Sequence, residues 1–261
     1  MNFDSLSVVA PALLAGILVL ATHVPLGREV LGRGIIFIDL AVAQIAGLGV
    51  IAANGFGLET HGVAAQVAAF AAALAGGLLL SWTDRRFAKV QEAIIGVSFV
   101  LAATGGILLL ANDPHGGEEL RDLLVGQILF IDRHTLVPAA VLAAVVLASW
   151  RFVMGALGRA GFYVLFAISV TASVQLVGVY LVFASLMVPA LATRSLRKYA
   201  LAAGYAIGLA GYLVGLLLSA VFDLPTGAVI VWTLTAAALA SAPLLAPWRE
   251  RPAATERSTP H

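Results

Sequence analysis

Asp39 is the one carboxylate lying within a long apolar run of this sequence, in FIDLAVAQ. A charged side chain at that depth costs about 2.5–3.5 kcal/mol unless it meets a partner or a wet cavity, so it marks a place where a cation could be handled. His23 lies near the end of the preceding run. If the short 26–33 stretch is a loop, the two runs form an antiparallel hairpin with both side chains at similar depth. Imidazole and carboxylate together suit a divalent ion held transiently, and they suit equally a hydrogen bond that locks the hairpin. Gln44, further along the same run, adds an amide oxygen that serves either as a weak ligand or as a bond between helices.

Two further groups lie outside the apolar runs. The segment AANDPHGGEELRDLL holds Asp113, His115, Glu118 and Glu119, with Glu59, His61 and His134 in neighbouring segments. Their spacing matches no closed structural metal site, so they form either an acidic vestibule that draws cations in or a solvated loop. The second group follows Pro189, which is expected to end a helix. A short amphipathic piece with Arg194, Arg197 and Lys198 then suits either docking to a partner or simple anchoring by positive charge. The chain has no Gly-Lys dipeptide, hence no phosphate-binding loop of the Walker type.

The elements that must position these residues follow from composition. Of 261 residues, 61% are hydrophobic and 11% charged, and the mean hydropathy is +1.00. Such a chain is built for lipid. The apolar runs are too long and continuous for alternating barrel strands, so the expected fold is all-α, a polytopic transmembrane bundle of about eight or nine spans. Runs at 6–25, 34–53, 62–82, 93–111, 135–150, 200–222 and 225–247 are each long enough to cross. The 160–192 stretch, interrupted by Gly178 and Pro189, is too long for one span and too short for two, which predicts a broken or re-entrant pair. The first run lacks a basic leader, so it reads as an uncleaved span. Residues 1–247 form the membrane domain and 248–261 a disordered cytoplasmic tail.

Of the 15 basic residues, 13 fall on one side if the N-terminus is outside; only Arg121 and Arg133 fall on the other. The positive-inside rule therefore predicts N-out, C-in. Gly204, Gly208, Gly211 and Gly215 share one helix face, where a neighbouring helix can approach closely. With no Cys, disulfides and thiolate sites are excluded, and a net charge of +1 argues against a nucleic-acid partner.

Four segments in order, GRGIIFIDLAVAQIAGLGV, QEAIIGVSFVLAATGGILLL, LLVGQILFID and SVQLVGVYLVFASLMVPALATRSL with DLPTGAVIVW, resemble the permease subunits of zinc and manganese ABC importers over about 10–245. The resemblance implies a homodimer in the cytoplasmic membrane, driven by two cytoplasmic ATPase subunits and supplied by an extracytoplasmic metal-binding protein. No cofactor would be bound permanently, the transported Zn²⁺ or Mn²⁺ being cargo. It also implies that Ala190 to Lys198, including Arg194, Arg197 and Lys198, is the coupling helix in the ATPase groove. That family's second helix carries Asp followed four residues later by His, and this sequence has Ala43 there. Either Asp39 has lost its His partner, with His23 compensating, or Gln44 replaces the His and Leu40 stands for the Asp. Against this reading stand a permease for a metal chelate or vitamin, with a wide apolar pore, and a secondary transporter or intramembrane enzyme. One buried carboxylate is thin support for the last two.

Overall fold

The computed structural model describes residues 3–57, 63–131, 133–196 and 198–245, and the regular elements among them are helices. In chain order they are α1 (Phe3–Arg33), α2 (Ile38–Gly55), α3 (Val63–Arg86), α4 (Gln91–Leu109), α5 (Gly116–Val125), α6 (Arg133–Leu157), α7 (Arg159–Val177), α8 (Val179–Ala192), α9 (Ala200–Phe222) and α10 (Thr226–Leu245). Eight of them are long and apolar enough to cross a membrane; α8 is apolar but shorter, and α5 is amphipathic. The chain is thus an all-α polytopic membrane bundle. Each of the seven clear apolar runs falls on one helix. The 160–192 stretch breaks at Gly178 into α7, 19 residues and a full span by itself, and α8, 14 residues or about 21 Å. The tail lies outside the described residues.

Three expectations about local structure need correction. Residues 26–33 are helix, not loop, because Leu26 and Val30, four apart, are both fully buried and carry α1 past Pro25; the chain turns only at Gly34, where φ is +69°. As a result α1 packs chiefly on α8, α9 and α6, whereas α2 packs on α3 and α4, so the two do not form the expected hairpin. Pro189 does not end its helix either. α8 continues to Ala192, where the Thr193 N–H and hydroxyl both donate to the Pro189 carbonyl, at 3.1 and 2.8 Å. The acidic segment AANDPHGGEELRDLL contains a helix, α5, whose apolar Leu123 packs over Gly47 of α2.

Small residues set the spacing of the core. The four glycines of α9 serve two neighbours rather than one: Gly204 and Gly208 meet Val24 and Leu20 of α1, while Gly211 and Gly215 meet Leu234 and Ile230 of α10. Tyr212, fully buried, packs directly against Gly16 of α1 and shares a 2.9 Å hydrogen bond with the Ser185 hydroxyl of α8, so α1, α8 and α9 are fixed at one point.

Candidate functional site

Asp39 stands in the first turn of α2, closer to the helix end than the sequence suggested, where the N-terminal dipole favours a negative charge by about 0.3–1 kcal/mol. It is 1% exposed, and neither carboxylate oxygen has a hydrogen-bond partner. Gln44, also buried, is five residues on and so about 140° round the helix from Asp39. The two do not share a face.

His23 is fully buried on α1. Its Nδ1 lies 3.0 Å from the Val19 carbonyl and 3.0 Å from the Thr22 hydroxyl, while Nε2 has no partner. A carbonyl can only accept, so the Val19 contact places the proton on Nδ1 and leaves a lone pair on Nε2. That is how histidines that bind metals are commonly held. His23 and Asp39 are not hydrogen-bonded to one another, since the atoms that would meet are all unpartnered. The bond that would lock spans one and two is therefore absent. Among the described residues no three or more His, Asp or Glu side chains gather closely enough to cage an ion.

Around α5 the acidic residues separate into roles. Glu119 accepts a 3.1 Å hydrogen bond from Asn54 at the end of α2, and Asp113 accepts one of 2.8 Å from the His115 N–H. Glu118 and the His115 ring stand 3.5 Å apart, both largely exposed. Glu119 thus helps to hold α5 on α2, while His115 and Glu118 face outward. His134 is exposed at the start of α6; Glu59, His61 and Asp132 lie outside the described residues.

The described residues that follow α8 form turns and bends, so the helical part of the Ala190 to Lys198 piece ends at Ala192. Only seven residues separate α8 from α9, and the chain reverses through Tyr199 in the left-handed region, at φ +63°. Arg194 and Lys198 are exposed there, with the Lys198 ammonium 4.9 Å from the Tyr199 ring centroid; Arg197 lies outside the described residues.

The bundle also joins polar residues that the sequence reading passed over. Glu92 accepts a 3.2 Å hydrogen bond from the Phe37 N–H just before α2, and Gln91 donates to the Leu80 carbonyl and, at 3.4 Å, to the Tyr163 hydroxyl. Arg159 pairs with Asp84 at 3.5 Å. The available signal was the Gln-Glu pair at the start of an apolar run. Asp39 is therefore on a helix whose start is tied to α4.

The family model of the ABC 3 transport family matches residues 5–157 and 154–244. Among solved structures, the chain resembles a chain of PsaBC from Streptococcus pneumoniae in complex with Fab, with TM-score 0.71 and 20% identity, over 91% of this chain and 94% of that one. It also resembles a transporter assigned to the metal-chelate type of ABC transporter, in an inward-facing conformation, with TM-score 0.60 and 18% identity, over 92% of this chain and 84% of that one. At such identities these two likenesses speak for the fold, whereas the family match extends over most of the sequence: the chain belongs to the ABC 3 transport family, as a membrane-spanning transport subunit that does not itself hydrolyse ATP.

Proposed function

We propose that this chain is the permease of an ATP-driven importer for a divalent metal ion, with Zn²⁺ preferred over Mn²⁺. The observation that carries the reading is Asp39, a buried carboxylate with both oxygens unpartnered inside a membrane bundle. Water would leave such a group in place only at a cost; a passing cation would repay it. His23, with Nε2 open, is the second ligand we assign, and Gln44 a further oxygen donor on the path. Few ligands suit transport, because an ion in a complete cage would not leave. Imidazole and the affinity order of first-row metals favour zinc. The fold shared with PsaBC and with a metal-chelate type transporter fits a permease of this architecture, and the second likeness fits the chelate alternative equally well.

In this reading the permease is a homodimer in the cytoplasmic membrane, N-terminus outside and C-terminus inside. Two ATPase subunits dock near Arg194, Arg197 and Lys198, and an extracytoplasmic binding protein delivers the ion to the side bearing His115, Glu118 and Glu119. Residues 1–247 are the membrane domain. The transporter reconstituted with its ATPase partner in vesicles, with the binding protein where delivery needs it, is expected to take up radioactive zinc on ATP addition, with manganese a weaker competitor than unlabelled zinc. Uptake of a chelated metal or vitamin but not of the free ion would replace the reading by the wide-pore alternative.

The orientation has a separate check. Gly117, exposed with open space around its Cα, and Arg86, exposed at the end of α3, are sites for single cysteines on this Cys-free background. Gly117→Cys should react with an impermeant maleimide on intact cells, and Arg86→Cys only after the membrane is opened. The reverse pattern would invert the topology.

A further inference from the structure

The inner end of α1, which the sequence had suggested was a loop, grips both ends of the broken pair α7–α8. Arg28 donates from Nη1 to the carbonyl of Thr193, the residue that closes α8, at 3.3 Å across 165 residues of sequence. A basic side chain on the last carbonyls of a helix satisfies an orphan acceptor and complements the helix dipole. One residue earlier, a Cβ on Gly27 would overlap the Leu186 carbonyl and would stand 3.2 Å from the Ala190 Cβ, so the two backbones are in direct contact. About a turn and a half later, the Arg33 guanidinium sits 4.3 Å from the centroid of Phe162, in the first turn of α7, and is also paired with Glu29 at 3.4 Å. Val24 meets Gly204 of α9 on the same helix. His23 and Gly27 are four residues apart and therefore share a face of α1.

Resting on the importer reading above, we propose that the inner end of α1 is the link that carries ATPase-driven movement of the α8 end to the His23 turn, with Arg28 as its positioning residue. The exposed turn at Arg194 is one residue from the carbonyl that Arg28 holds, so a push on that turn is a push on Arg28. The continuous helix from Arg28 back to His23 covers little more than one turn, which moves as a rigid piece. Gly27 keeps α1 and α8 close enough for the Arg28 bond to form.

The test uses the assembled transporter in vesicles, with radioactive zinc as the probe and ATP hydrolysis measured in parallel. Arg28→Ala should leave hydrolysis within about twofold of wild type while zinc imported per ATP falls at least about fivefold, the scale of a typical coupling between sites. Arg28→Lys, whose ammonium can donate to the same carbonyl, should recover much of the ratio. Unchanged import per ATP in Arg28→Ala, or import and hydrolysis falling in proportion, would overturn the proposal. A second measurement guards against a purely structural loss. In Arg28→Cys/Thr193→Cys, joining the two thiols with a short cross-linker should restore import per ATP, because it replaces the lost bond; a cross-link that leaves the ratio low also overturns it. Wild-type vesicles that import no zinc would instead remove the importer reading itself.

Discussion

Asp39→Asn is expected to abolish cation uptake at limiting zinc while the permease still accumulates in the membrane and assembles with its ATPase. Neither oxygen of Asp39 holds a hydrogen bond, so the amide forfeits no native bond, and the helix-dipole term lost with the charge, about 0.3–1 kcal/mol, is smaller than the cost of burying that charge. The effect on a passing ion is far larger. Residues that merely orient a metal ligand change affinity by roughly 10–100-fold when altered, so loss of a charged ligand should lower uptake by at least about 100-fold. His23→Gln supplies the second arm. The glutamine amide fills much of the imidazole's space but cannot offer an imidazole lone pair at the Nε2 position, so uptake should fall while the fold is kept, at most losing the Nδ1 bond to the Val19 carbonyl. Near-normal zinc uptake by Asp39→Asn would remove Asp39 from the pathway, while leaving the membership of the family untouched. A permease that disappears from the membrane in both variants would point instead to a packing role for these buried groups.

The bundle was legible in the sequence because lipid leaves so few options. Every backbone amide must be satisfied within its own segment, so uninterrupted apolar runs become helices almost one for one, and the run at 200–222 coincides with α9 residue for residue. The ends were less legible. Hydropathy locates the part of a helix in hydrocarbon, not where the helix stops, and α1 continues for two turns past the end of the first apolar run because its Leu26 and Val30 are buried by protein. That extension rearranged the expected pairing of α1 with α2, and with it the supposed bond between His23 and Asp39. Helix α5 was missed for the opposite reason. It is amphipathic and polar overall, so it reads as a loop by hydropathy, although Glu118 and Glu119 in its first turn and the later Leu123, Leu124 pattern are helix signals. Of the candidate site, the identity of the buried polar residues was visible from the sequence. Which of them lack partners was not, because that depends on which helices become neighbours.

Gly178→Ala is expected to be among the most damaging small substitutions at the described residues for stability. Gly178 separates α7 from α8 with φ +81° and ψ 162°, a combination that only glycine adopts without strain. Facing it is Gly126, at φ +68°, and the two backbones cross so closely that a Cβ on either would overlap the main chain of the other; one on Gly178 would stand 2.6 Å from the Val125 carbonyl carbon. The Val125 carbonyl oxygen in turn lies 2.7 Å from where a Cβ on Gly227 would be, so α10 closes on the same point. Backbone strain of about 1–3 kcal/mol and overpacking of about 1–3 kcal/mol add to roughly 2–6 kcal/mol, and no flexible side chain is there to give way. Gly155→Ala is the matched control. Gly155 lies in α6, exposed with open space around it, where alanine should gain up to about 1 kcal/mol of helix propensity. Thermal unfolding of detergent-solubilised protein is the measurement, read beside the amount recovered from the membrane. Gly178→Ala should unfold well below wild type or fail to accumulate, with Gly155→Ala at or above wild type. If Gly178→Ala unfolds at the wild-type temperature, the α7–α8 break does not depend on this crossing, and the short helix α8 is held by its other contacts, the Ser185–Tyr212 bond and the Arg28 and Gly27 contacts among them.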